Sequence, residues 1–110
     1  MRAPAPVRRV LPSGDPDPDD AGLIAESLAQ PERFGALYDR HAAVLHRYAA
    51  RRVGDHLADD LVAATFLAAF RARVRYDRAR PDARPWLFGI LTKEIARQHR
   101  TGPRTVSPTR

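Results

Sequence analysis

The side chains best suited to bind a charged ligand lie between Arg71 and Arg100. Arg75, Arg78, Arg80 and Arg84 fall in a polar stretch stiffened by Pro81, and Lys93, Arg97 and Arg100 recur at intervals of four and three. That interval stacks three cations on one side of a helix, with Gly89 beside them. Guanidinium and ammonium groups gathered in this way bind phosphates. Residues 71–110 carry eleven Lys/Arg against three Asp/Glu, whereas residues 1–70 carry eight against ten, so the net charge of +6 belongs to the C-terminal part. A Pro85-Trp86 step pins the basic loop to the helix that follows. A merely solvated Arg-rich face has the same composition; what sets this one apart is the continuity of loop and helix cations.

Other chemistries find little support. Cysteine is absent, which excludes a disulfide framework or a Cys-based zinc site. His41 and His46 are five apart and do not share a helix face as a metal pair would, so they are expected at the edge of the core or on the surface. Asp59 and Asp60 are adjacent and point in different directions around a helix. No Gly-rich phosphate loop or nucleophile elbow appears. The expectation is a protein that is not an enzyme and carries no cofactor or metal.

The elements that position the cations are read from periodicity. No stretch alternates like a strand, and four segments place apolar residues three and four apart, which predicts an all-α bundle of about four helices. Residues 1–20 hold five of the ten prolines and no apolar period, and read as a disordered arm. Residues 21–100 form the domain, and residues 101–110 a linker or tail. The first helix is capped by Asp19 or Asp20, carries Leu23, Ile24 and Leu28, and ends at Pro31. The second runs from Pro31 to Gly54, a left-handed stop, with Phe34, Leu37, Tyr38, His41, Val44, Leu45 and Tyr48 on its stripe. The third is capped by Asp55 and runs to about Tyr76, with Leu57, Leu61, Val62, Thr65, Phe66, Ala69, Phe70 and Val74 inward. Its outer face holds Asp59, Asp60, Ala63, Ala64, Leu67 and Arg71. A polar loop, residues 77–84, leads to a fourth helix opened by Pro85, with Trp86, Leu87, Ile90, Leu91 and Ile95 buried. The longest apolar run, Leu61 to Phe70, is about half a membrane span, and the N-terminus lacks the apolar segment of a signal peptide. A cytoplasmic protein without membrane insertion is expected.

Three groups of residues, in order, resemble a known family. They are Phe34 with Leu37-Tyr38 and His41; Asp60-Leu61-Val62 with Thr65-Phe66; and the run from Arg80 through Pro81-Asp82-Ala83-Arg84-Pro85-Trp86-Leu87-Phe88-Gly89 to Ile90. The chain resembles region 2 of bacterial sigma factors of the extracytoplasmic-function (ECF) group, and its Ala/Arg-rich wording is most similar to actinobacterial members. The resemblance implies a transcription initiation domain. Its third helix would dock on the β′ clamp of core RNA polymerase through Asp59, Asp60, Ala63, Ala64, Leu67 and Arg71. Its loop and fourth helix would recognise and help melt the promoter minus-ten element, holding the nontemplate strand with Arg75, Arg78, Arg80, Arg84, Trp86, Lys93, Arg97 and Arg100.

Two positions depart from the family wording. Ala63-Ala64 stand where Gln-Glu is usual, which removes two polar contacts to the clamp. Lys93 stands where Asn is common, which favours phosphate contact over base reading. Residues 101–110 resemble the start of a tether to the second DNA-binding domain, region 4. These departures sustain a competing expectation: a degenerate sigma-like module that binds an anti-sigma factor or another regulator without productive DNA recognition.

Overall fold

A short helix, three long ones and two 3-10 turns make up the computed structural model, which describes residues 17–106, with side chains through His99. Helix α1 spans Asp20–Ser27, and Asp19 caps it by accepting the Gly22 N–H at 2.8 Å. A 3-10 turn over Pro31–Phe34 leads into α2, Gly35–Val53. Helix α3 spans Asp55–Ala72, a second 3-10 turn covers Arg73–Arg75, and α4 spans Arg84–Val106.

Helix α2 buries Leu37, His41, Leu45 and Ala49, one residue per turn, and so presents a single ridge to α3 and α4. Helix α3 answers with Ala58, Leu61, Val62, Thr65, Phe66 and Ala69. The small residues Ala49, Ala58 and Ala69 are fully buried, which lets the helices approach closely. From α4 come Leu87, Leu91 and Ile95, and from α1 Ala21, Leu23 and Ile24. Edge-on aromatic pairs close the seams: Phe34 on Phe70 at 5.4 Å and Tyr48 on Phe88 at 5.1 Å. The all-α bundle expected from periodicity is the observed architecture.

The junction between α2 and α3 rests on Gly54, at φ 88 and ψ 158. A side chain there is strained whatever the space around it, so the sharp turn requires glycine. Asp55 is the first residue of α3 rather than its cap, and Gly54 occupies the capping position with no side-chain bond. The third helix also stops earlier than its apolar pattern suggests. The tighter turn after Ala72 rotates Val74 outward, where it is 64% exposed instead of buried. Leu28 follows the end of α1 and is exposed, and Tyr38 is half exposed while still tilting onto Phe66 at 5.0 Å.

At the N-terminal side, Asp19 and Asp20 belong to the packed bundle, whereas residues 1–16 of the expected arm lie outside the described residues. Helix α4 continues beyond Arg100 through Val106, and residues 107–110 lie outside the described residues. No described helix is long and apolar enough to cross a membrane.

Candidate nucleic-acid interface

The connection between Tyr76 and α4 is irregular, exposed and basic, yet it is held at several points. Tyr76 is buried and donates its hydroxyl proton to the Arg80 carbonyl at 2.7 Å. Burial raises the pKa of that phenol, and the negative charges of Asp20 and Asp82 push the same way. The Asp20 N–H donates to the Pro81 carbonyl at 3.1 Å, and the Asp20 carboxylate accepts the Ala83 N–H at 2.8 Å. Ala83 is fully buried, so the loop is not polar throughout as its composition suggests. Asp82 turns back to accept the Arg84 N–H at 3.0 Å, which satisfies a donor at the start of α4.

Behind this loop lies a polar cluster that joins three helices. Asp20 is 6% exposed; one carboxylate oxygen takes Arg40 Nη1 at 3.0 Å and the other takes His41 Nε2 at 2.8 Å together with the Ala83 N–H. Desolvation by burial pushes the Asp20 carboxyl up. The hydrogen bonds from Ala83, Arg40 and His41 outweigh it and hold the pKa below the ordinary aspartate value. The other imidazole nitrogen, Nδ1, accepts Arg84 Nε–H at 3.2 Å. Asp20, His41 and Asp82 offer ligand atoms all within 4.8 Å of one another, the spacing of a cation site. Each of the three side chains is already engaged in hydrogen bonds, so the cluster works as a brace between α1, α2 and the loop.

The outer side of the loop forms a groove of about 410 Å³. Arg75, Arg80 and Trp86 line it beside Tyr76, Asp77 and Asp82. Trp86 is half-buried and meets Tyr76 edge-on at 4.7 Å, so the groove has an aromatic wall and a cationic rim. Arg80 lies 3.8 Å from Asp77, a loose surface pair, and Arg78 is exposed on the same loop. Two of the expected phosphate-binding cations, Arg75 and Arg80, thus lie beside an aromatic surface that includes Trp86. Arg84 sits at the mouth of α4 with its Nε turned inward to His41.

The helical cations Lys93 and Arg97 are both exposed on α4, one turn apart, and the side chain of Arg100 lies outside the described residues. Arg97, 3.8 Å from Glu94, lines a second groove of about 520 Å³ between α3 and α4, shared with Ala64, Leu67, Arg71 and Arg75. This groove joins the outer ridge of α3 to the basic face, and Arg75 borders both grooves. Along the ridge Asp59, Asp60, Ala63, Leu67 and Arg71 are exposed and Ala64 is half-buried; Leu67 is 50% exposed. Asp59 meets His46 of α2 at 2.9 Å while staying exposed itself.

The sigma-70 region 2 family model matches residues 37–105, from the start of the α2 ridge through the loop and nearly all of α4. The chain belongs to the sigma-70 region 2 family. Among curated proteins it is 48% identical, over 83 residues, to the ECF RNA polymerase sigma factor SigL of three strains of Mycobacterium tuberculosis. The aligned part covers 74% of this chain and 46% of SigL, so the chain spans about half the length of the curated relatives it matches. The region 2 domain is of the ECF type and actinobacterial in character. No solved structure matches it.

The Asp20 cluster escaped the sequence reading. Asp20 is 21 positions from His41 and 63 from Ala83, so no local spacing signals the contact. The one available hint was an acidic residue next to a cap, which helix polarity alone accounts for.

Proposed function

We propose that this chain is a transcription initiation module that binds core RNA polymerase through the outer ridge of α3 and holds the nontemplate strand of the promoter minus-ten element. It performs no covalent chemistry. The observation that carries this reading is the groove beside the loop, where half-buried Trp86, packed edge-on against Tyr76, supplies an aromatic wall and Arg75 and Arg80 a cationic rim. Opening a duplex costs unpairing and unstacking. A protein offsets that cost by gripping one strand's phosphates while an extruded base finds an apolar surface, each stacked base contributing roughly 1–3 kcal/mol.

The ridge of α3 suits the polymerase. Leu67 offers an exposed apolar contact, flanked by Asp60 on one side and Arg71 on the other, so a partner helix with both charge signs and an apolar seam is complementary to it. Ala63 and Ala64 make this a small-residue surface, which allows close approach and supplies no side-chain hydrogen bonds. In this reading the partner is the β′ clamp, and an anti-sigma factor would compete for the same exposed residues. Such work places the chain in the cytoplasm.

The test is the salt dependence of binding to random-sequence single-stranded DNA. Arg75→Ala and Arg80→Ala should each lower the slope of log K against log salt by about 0.7, one phosphate contact on a single strand. Trp86→Ala should weaken binding with little change in slope. Wild-type slopes in both arginine variants would remove the loop from the interface. Clamp or regulator binding without any single-strand affinity would instead favour the interaction-module reading.

A further inference from the structure

One buried histidine touches a candidate DNA contact from behind. His41 is 6% exposed, and its two ring nitrogens have different partners: Nε2 lies 2.8 Å from the Asp20 carboxylate and Nδ1 lies 3.2 Å from Arg84 Nε. A carboxylate can only accept and a guanidinium can only donate, so this pairing demands the neutral tautomer with its proton on Nε2. The Arg84 side chain, itself on an exposed residue, is thereby fixed at Nε, and its two terminal amino groups remain for another acceptor.

We propose that His41, oriented by Asp20, is a positioning residue that aims the guanidinium of Arg84 at a phosphate of the strand held by the loop, and that protonation of His41 releases this aim. The inference rests on the nucleic-acid reading above and deepens it. The same Asp20 carboxylate holds Ala83, the residue before Arg84, so backbone and side chain of the contact residue are set by one group. Pre-set geometry matters because a free arginine loses considerable rotamer entropy on binding.

Acid acts on the geometry directly. A proton on Nδ1 removes the lone pair that accepts Arg84 Nε–H and sets two donors against each other. The charged groups facing His41 are Asp20 from α1, Arg84 from α4 and Asp82 from the loop, with Arg40 of α2 on the far oxygen of Asp20. The charged ring has no lone pair left to accept from Arg84.

The experiment uses the whole chain with fluorescently labelled random-sequence single-stranded DNA about a dozen nucleotides long, at several salt concentrations. His41→Gln retains a donor and an acceptor on one planar group and should keep the wild-type slope; His41→Leu should lower it by about 0.7 and add nothing in an Arg84→Ala background. Arg84→Lys keeps the charge and lacks the Nε donor, so it guards against misfolding of His41→Leu and should bind independently of His41. In acid, once Nδ1 of His41 carries a proton, the wild type should lose this one contact and His41→Gln should not.

The clasp is also read without DNA, by NMR of the Arg84 Nε–H. It should exchange slowly at neutral pH and rapidly in acid or in His41→Leu. Rapid exchange in the neutral wild type, or an equal acid loss in His41→Gln, overturns the proposal. A slowly exchanging Arg84 Nε–H in a chain with no single-strand affinity at low salt overturns the nucleic-acid reading itself, and with it the role of the clasp on a strand.

Discussion

Replacing Asp20 by alanine should destabilise the bundle far more than its place at the first turn of a short helix suggests. The substitution removes the acceptor for Arg40, His41 and the Ala83 N–H at once. Ala83 is fully buried, so its amide is left without a partner at a cost of about 1–3 kcal/mol. Removing one member of a buried charged group costs about 3–5 kcal/mol in all, and that range serves as the expected total because the losses overlap. Set against the ~5–15 kcal/mol of a typical domain, this is a large fraction. In urea at neutral pH the midpoint should fall by about 2 M. The folded-state pKa of Asp20 lies below the ordinary aspartate value. Its stabilisation is therefore complete above that ordinary value and disappears as pH falls through the lower folded one. The gap between wild type and Asp20→Ala should accordingly narrow in strong acid. A neutral-pH loss below about 1 kcal/mol would refute the reasoning, because it would mean the carboxylate's bonds do not outweigh its desolvation.

Other outcomes follow from the same packing. Leu45→Ala, at a fully buried position on α2, should cost about 2–5 kcal/mol in urea unfolding. Gly54→Ala should cost about 1–3 kcal/mol although open space surrounds it, because the φ of 88 is the obstacle; calorimetry would read this as a lower Tm. Trp86 is the only tryptophan and borders the loop groove, so its fluorescence should change on adding single-stranded DNA in the wild type, with a weaker response in Arg80→Ala. Lys93→Ala should lower the single-strand salt slope by about 0.7 and leave urea stability within about 0.5 kcal/mol, since Lys93 is exposed.

Much of the architecture is legible because helical periodicity is a local signal. The fully buried Leu37, Leu45, Leu87 and Leu91 all fall on stripes readable three and four apart, and the outward face of α3 follows from the same spacing. The apolar pattern fails where a helix ends. Val74 continues the inward period of α3, but the backbone tightens at Arg73 and the side chain swings out. Tyr76, two residues further on, becomes the buried one and pins the loop. The candidate interface was visible as a charge excess, though not its division. Arg97 shares a helical stripe with Lys93, yet the packing of α4 on α3 gives it to the groove beside Leu67. The Asp20, His41 and Arg84 brace was out of reach because its members come from three helices and their pairing depends on the tertiary fold.

In the proposed function the outer ridge of α3 carries this domain onto RNA polymerase. The most direct measurement is retention of core polymerase, and separately of its β′ clamp fragment, by the immobilised chain, with Asp60→Arg and Leu67→Arg beside the wild type. Both residues are exposed and far from the brace, so the variants should remain folded by circular dichroism. The account predicts retention by the wild type and loss in both variants, with Arg80→Ala unaffected. Equal retention by all four, or none by a folded wild type, would contradict it.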